Sequence, residues 1–186
     1  MKTIFTFSVL FLLMQFAAGQ KIDVNKRPVQ SERSRDFDAI HYRVTLDVDL
    51  DKKILAGENR ITLSPLNDNF DEVVLDASYL EVTSVNSIDG KGLRFEQKED
   101  HVSIRLEKSY NHTDTIQLNI KYTLNKPVPG LLFIDATATN PIMVSSDCFP
   151  NKARQWIPCY DYPNDKVMTE MIVTVDKKYK VLSNGR

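Results

Sequence analysis

The chain has few cysteines, no block of like charge, no sustained helical periodicity and no apolar run long enough to span a membrane. Each absence excludes something. The only cysteines, Cys148 and Cys159, permit a disulfide without requiring one, and with no matching Cys or His pair they make no zinc site. Basic and acidic side chains nearly balance, 24 against 25, with no basic cluster, which argues against nucleic acid as a partner. The longest apolar run, IFTFSVLFLLMQF, is about 13 residues, too short for roughly 30 Å of hydrocarbon. Lys2 precedes it and Ala17-Ala18-Gly19 follows. The three parts read as a signal peptide over residues 1–19, cleaved before Gln20, so the product is expected to be exported: periplasmic, secreted or at the cell surface. No membrane span is expected after cleavage.

What is present is mostly alternation. A polar leader at 20–35, expected to be flexible, gives way to Ile40, Tyr42, Val44, Leu46, Val48 and Leu50 interleaved with His41, Arg43, Thr45, Asp47 and Asp49. Period two over such a length predicts a half-buried strand. Asp47, Asp49 and Asp51 then share a solvated face rather than a calcium site. The pattern repeats at Ile54–Leu63, Glu72–Asp76, Leu80–Ile88, Leu93–Glu99, Val102–Leu106 and Ile116–Leu124, and Leu131–Ile134 reads as one more short apolar strand. Turn residues separate these runs at hairpin intervals, among them Asp89-Gly90-Lys91-Gly92 and Asn111-His112-Thr113-Asp114. The latter contains a glycosylation sequon that reads first as a hairpin tip. Val167–Val175 and Tyr179–Leu182 predict two more strands. Ser183-Asn184-Gly185 then supplies a hairpin turn without a returning strand, which reads as the front part of a longer polypeptide.

Residues 153–166, ARQWIPCYDYPNDK, stand apart. Pro158 and Pro163 each remove a backbone donor and push the preceding residue towards extended geometry, so an ordered loop is expected rather than a regular strand or helix. Trp156, Ile157, Tyr160 and Tyr162 offer apolar area to pin it. Arg154 has Asp161 and Asp165 within loop distance as charge partners.

The segment Ala153-Arg154-x-Trp156-x-Pro158-Cys159-Tyr160-Asp161-x-Pro163-x-Asp165-Lys166, followed by Val181-Leu182-Ser183-Asn184-Gly185, resembles the N-terminal domain of the zinc aminopeptidases related to alanyl aminopeptidase. His41-Tyr42, Gly57-Glu58, Val74-Leu75-Asp76-Ala77, Leu80-Glu81-Val82 and Pro129-Gly130-Leu131-Leu132-Phe133 come in the order that family uses. The resemblance implies an all-β domain over 36–186, of saddle-shaped, sandwich-like antiparallel sheets incomplete at the C-terminus, that caps the active-site cleft of a catalytic domain. In such enzymes a helical H-E-x-x-H and a later Glu hold zinc.

Those motifs are absent here, and His41, His101 and His112 lack a second histidine at helical spacing. The expected partners are therefore the chain's own missing catalytic domain and, through it, peptide substrates. Zinc is expected in the full-length enzyme and not on this chain, which should be inactive alone. Relatives place an acid or amide shortly before the Arg-containing segment, where it holds the peptide's ammonium group. Here that stretch is Ser145-Ser146-Asp147-Cys148-Phe149, so Asp147 and Phe149 are the candidate substrate-facing residues. Arg154, Trp156, Pro158, Tyr160 and Asp161 form a structural loop. The competing reading is a stand-alone secreted β-module that binds peptide or sugar, or a non-catalytic relative of the family.

Overall fold

The computed structural model describes residues 34–184, so the expected signal peptide and most of the leader lie outside the described residues. Ten strands follow one another: β1 Phe37–Asp49, β2 Ile54–Pro65, β3 Phe70–Asp76, β4 Glu81–Ser87, β5 Arg94–Gln97, β6 His101–Tyr110, β7 Ile116–Leu124, β8 Leu131–Ile134, β9 Met143–Ser146 and β10 Met168–Thr174. The fold is all-β. Along β1, β2, β6 and β7 buried and open positions alternate, so the sequence period is the physical origin of the burial.

One sheet has the order β10-β1-β2-β7-β4, a second β3-β6-β5, and a third is the β8-β9 hairpin. Ile61, Leu63, Leu118 and Ile120 of the first sheet share one core with Val73, Leu75, Val102 and Ile104 of the second. Each such side chain contributes about 1.5–3 kcal/mol on burial.

Two local devices shape the large sheet. Gly57 faces Tyr122 across the β2–β7 ladder, and a Cβ at Gly57 would lie 2.2 Å from the Tyr122 ring. The missing side chain is the space that the ring fills. In β1 the ladder to β2 slips by one residue between Ala39 and His41, a β-bulge that leaves an extra residue on the β1 side. Phe37 and Ala39 are buried before it, Tyr42, Val44, Leu46 and Val48 after it.

The sheets differ from the sequence reading in four places. β10 runs parallel to β1, so the sheets are not antiparallel throughout. Pattern reveals that a strand exists, but its direction is set by the connection that delivers it. Tyr179–Leu182 forms no strand; it follows a turn closed by the Tyr179 N–H donating to the Asp176 carbonyl, and no ladder among the described residues takes it up. β9 lies within the region read as loop, paired to β8 from Leu131↔Ser146 to Ile134↔Met143. Ile40 sits at the bulge and is only half-buried, and Ala39 takes the inward place.

Candidate functional site

The ring-rich loop begins with a single turn of 3₁₀ helix at Ala153–Gln155, a short regular piece where none was expected, since both prolines lie beyond it. The guanidinium of Arg154 closes the loop on itself: Nε donates to Asp161 Oδ2 at 3.1 Å and Nη2 to the Asp161 carbonyl at 3.0 Å. Its Nη1 lies 3.1 Å from Asp76 Oδ1 at the end of β3, and the Asp161 N–H donates to the other Asp76 oxygen at 2.9 Å. Asp76 is 4% exposed. A carboxylate that deep is stable only with charge and hydrogen bonds around it, and Arg154 supplies both.

The backbone continues the lock. Asp76 and Cys159 exchange N–H···O=C bonds of 2.8 and 3.1 Å, and the Ser78 N–H donates to the Arg154 carbonyl. Asn59 Nδ2 in β2 donates to the Pro158 carbonyl, and the Tyr160 N–H donates to the Tyr42 hydroxyl at 3.0 Å. Trp156, Pro158, Cys159 and Tyr160 are buried, and Phe37 meets Tyr160 edge-on at 5.9 Å. Burial pushes the Tyr42 phenol far above its ordinary range, and the hydrogen bond from Tyr160 pulls against it. Burial likewise raises the Cys159 thiol. Both groups stay neutral, as the core requires.

Asp165 is not a partner of Arg154. Its carboxylate accepts from Arg35 at 2.5 Å and from the Ala39 N–H at 3.1 Å, beside the bulge in β1. The distant Asp76 takes the place beside Arg154 that Asp165 was expected to fill.

Asp147 and Phe149 lie just past β9, on a segment tied to this corner through Gly130. The Asp147 N–H donates to the Gly130 carbonyl at 3.0 Å, and the Gly130 N–H donates to Gln155 Oε1 at 2.8 Å. A Cβ on Gly130 would stand 2.3 Å from the Lys152 carbonyl oxygen, so the hairpin and the loop touch backbone to backbone. Asp147 accepts from the Phe149 N–H at 3.2 Å and from Lys152 Nζ at 2.6 Å. The hydrogen bond from Lys152 is the main reason its carboxyl titrates below the ordinary carboxylate range. Phe149 is 80% exposed. Leu132, Ile134 and Met143 of the adjoining hairpin are exposed as well, with Ile134 directly opposite Met143.

The pattern of letters did not mark Asp76, Gln155, Lys152, Tyr42 or Asn59 as parts of this corner. Gln155 occupies an unspecified position of the motif, and the other four belong to it only through the fold. Gly130 stood in a recognisable turn, but its contact with Lys152 is tertiary.

Elsewhere the chemistry is sparse. Among the described residues no group of three His, Cys, Asp or Glu stands together as a metal-holding set. His101 and His112 pair through Nδ1 with Asp100 and Asp68 at 2.6 and 2.7 Å, and His41 lies within β1. Cys148 and Cys159 are free thiols, one exposed and one buried. A cleft of about 450 Å³ is lined in part by Asp36, Asp68, Asp71, Glu72 and Tyr160. Arg105 holds Asp71 and Glu72, and His112 holds Asp68.

Residues 38–186 match the family described as the Peptidase M1 N-terminal domain. The probable aminopeptidase 2 of Sulfurisphaera tokodaii is 32% identical over 144 residues, which cover 77% of this chain and 17% of that protein. Leukotriene A4 hydrolase from Saccharomyces cerevisiae superposes with a TM-score of 0.67 at 25% identity, covering 80% of this chain and 26% of that one. An M1 zinc metallopeptidase from Deinococcus radiodurans, 23% identical, shares the fold with a TM-score of 0.63 over 75% of this chain and 32% of that one. The chain spans about a sixth of the length of the curated relatives that it matches first, 17% in each case.

Proposed function

Because the chain belongs to the Peptidase M1 N-terminal domain family, we propose that it is the non-catalytic front domain, residues 36–186, of an exported zinc-dependent aminopeptidase. The whole enzyme would remove N-terminal residues from peptides, with this domain capping one side of the cleft. The observation that carries the reading is a rigid corner, pinned by Asp76, Arg154 and Asp161, beside a rim that exposes Asp147 and Phe149. A wall that limits access to a peptide's first residue needs such a fixed base and an open edge.

Zinc belongs to the catalytic part in this proposal, because the described residues offer no set of ligands for it. In the complete enzyme the metal would polarise the scissile carbonyl. This chain's own residues would hold the rim in place and exclude longer approaches. Lys152 already neutralises Asp147, so an ammonium group reaching that carboxylate competes with an internal cation. The apolar side chains at Leu132, Ile134 and Met143 are the surface that we assign to contact with the catalytic part.

Reading the coding region beyond Arg186 tests the proposal. A helical H-E-x-x-H with a later Glu is expected, and a stop codon directly after Arg186 would sink it. The purified chain is expected to release no amino acid from peptides; turnover would contradict the assignment. The export signal is checked by locating the product outside the cytoplasm and finding its mature end at Gln20.

The same exposed apolar side chains also favour the second reading, a stand-alone secreted module for peptide or sugar. That reading asks for accessible aromatics, whereas Trp156 is 5% exposed. A ligand-dependent shift of Trp156 emission would support it.

A further inference from the structure

The tip of the β6–β7 hairpin, Asn111-His112-Thr113-Asp114, holds the one place in the chain where an asparagine has a serine or threonine two positions on. Its backbone is fastened from several sides. The Asp114 N–H donates to the Asn111 carbonyl at 2.9 Å, and Asp114 Oδ2 accepts from the Asn111 N–H at 2.7 Å, which closes a turn with asparagine in its first position. His112 is tied to Asp68 through its N–H at 3.1 Å and its Nδ1 at 2.7 Å. Ser64 Oγ donates to the Asp114 carbonyl at 3.0 Å. The Asn111 carboxamide and the Thr113 hydroxyl, both on exposed residues, take no partner among the described residues.

The tip also stands apart from the rim. Ile116, just after it, pairs with Leu63, and Leu124 at the other end of β7 pairs with Leu55. Lys53, two residues before Leu55, holds Asp135 just past β8 at 2.8 Å. The β8–β9 hairpin therefore lies at the Leu124 end, and β7 separates that end from Ile116 by about 27 Å at roughly 3.4 Å per residue. Asn111 itself lies outside both strands of its hairpin. A bulky group on its side chain would project from a turn, displace no ladder and cover none of the apolar side chains at the rim.

We propose that Asn111 is an acceptor for N-linked glycosylation, a reading that rests on the export proposed above. The donor is an oligosaccharide carried on a lipid diphosphate. Asn111 Nδ2 forms a bond to the anomeric carbon of the first sugar, the bond from that carbon to the diphosphate oxygen breaks, the lipid diphosphate leaves, and Nδ2 gives up one proton; nothing is oxidised or reduced. The Thr113 hydroxyl, two positions on, is the second group that the transferring enzyme reads, so both chemical requirements meet on one exposed turn. An exported chain emerges front end first, so later parts of a longer polypeptide do not shield the tip when the sugar is added. The position at the end of the molecule away from the rim leaves room for the sugar once folding is complete.

Mass spectrometry of the full-length protein isolated from its source tests the proposal. Cleavage after lysine releases the peptide 109–121, which carries Asn111 together with Asn119, an asparagine without a hydroxyl residue two positions on and so an internal control. Removal of the sugar by a peptide N-glycosidase in heavy-oxygen water is expected to convert Asn111, and not Asn119, to labelled aspartate. An exported protein with its mature end at Gln20 and an unmodified Asn111 would overturn the proposal and leave the export reading standing. A product that keeps residues 1–19 inside the cytoplasm would overturn both. In the full-length protein Thr113→Ala is expected to abolish the modification and Thr113→Ser to retain it, with the amount exported unchanged in each. Sugar that persists on the peptide in Thr113→Ala would place the attachment elsewhere and overturn the assignment.

Discussion

The loop at 153–165 and the segment at 143–152 lie side by side and obey different physics. In the first, every strong interaction is internal and largely dry: the Arg154 guanidinium spans Asp76 and Asp161, and Trp156 and Tyr160 fill the core. In the second, the polar contacts are wetter and the apolar side chains face out, with the exposed Asp147 bound to a half-buried lysine and Phe149 uncovered. A buried ion pair sets position because nothing else can solvate its members; an exposed one leaves its members free to change partners. The neighbouring regions thus divide the work between holding shape and meeting something outside.

The largest effect expected from disturbing this contrast is at Arg154. Arg154→Met leaves Asp76 and Asp161 facing each other without a cation, a loss of about 3–5 kcal/mol, read from denaturant unfolding. A loss no greater than that of a surface pair would mean that the clamp does not hold the corner. Gly130→Ala comes next, because its Cβ would meet backbone rather than a yielding side chain. About 1–3 kcal/mol is expected, with faster amide exchange across 145–155 than across β2 and β7.

Lys152→Met is expected to lower the unfolding midpoint only slightly at neutral pH, as for an exposed pair, and to alter titration more visibly. Asp147 is held below its ordinary 3.8 chiefly by Lys152. A depressed carboxyl contributes above its unfolded pKa, and that contribution is lost as pH falls through the folded value. The tether therefore opens only on the acid side. Carboxyl NMR should show the Asp147 midpoint rising towards the ordinary value in the variant; no movement would mean that the pairing does not persist in solution. Phe149→Ser is the smallest, within about 0.5 kcal/mol, and a large loss of stability would show that Phe149 packs rather than projects.

Much of the meander was legible because its strands bury one face, and burial writes itself into every second letter. Ile116–Leu124 falls where the alternation stands, and Leu131–Ile134 where a short apolar run stands. β9 left little trace: Met143-Val144-Ser145-Ser146 is short and mostly open, and it is a strand because β8 offers it a ladder. Tyr179–Leu182 shows the converse, alternation without a partner. Within the loop, Arg154 and Asp161 lie close enough in sequence to suggest each other. Asp76 reads as the end of a strand, and only the bridge between it and Cys159 brings it beside the guanidinium. Asp165 was nearer in sequence, but Arg35 and the Ala39 amide claim it.

That bulge gives the first strand a parity. Phe37 and Ala39 hold the inner side on odd numbers, and Tyr42 to Val48 hold it on even ones. Loss of one residue there, at Ile40, would straighten the bulge and leave both blocks facing inward. Loss of two would set Ala39 beside Tyr42 and turn Phe37 outward, away from Phe70 at 6.3 Å and Tyr160 at 5.9 Å. Deletion of a single residue at this point should therefore be tolerated and deletion of two rejected.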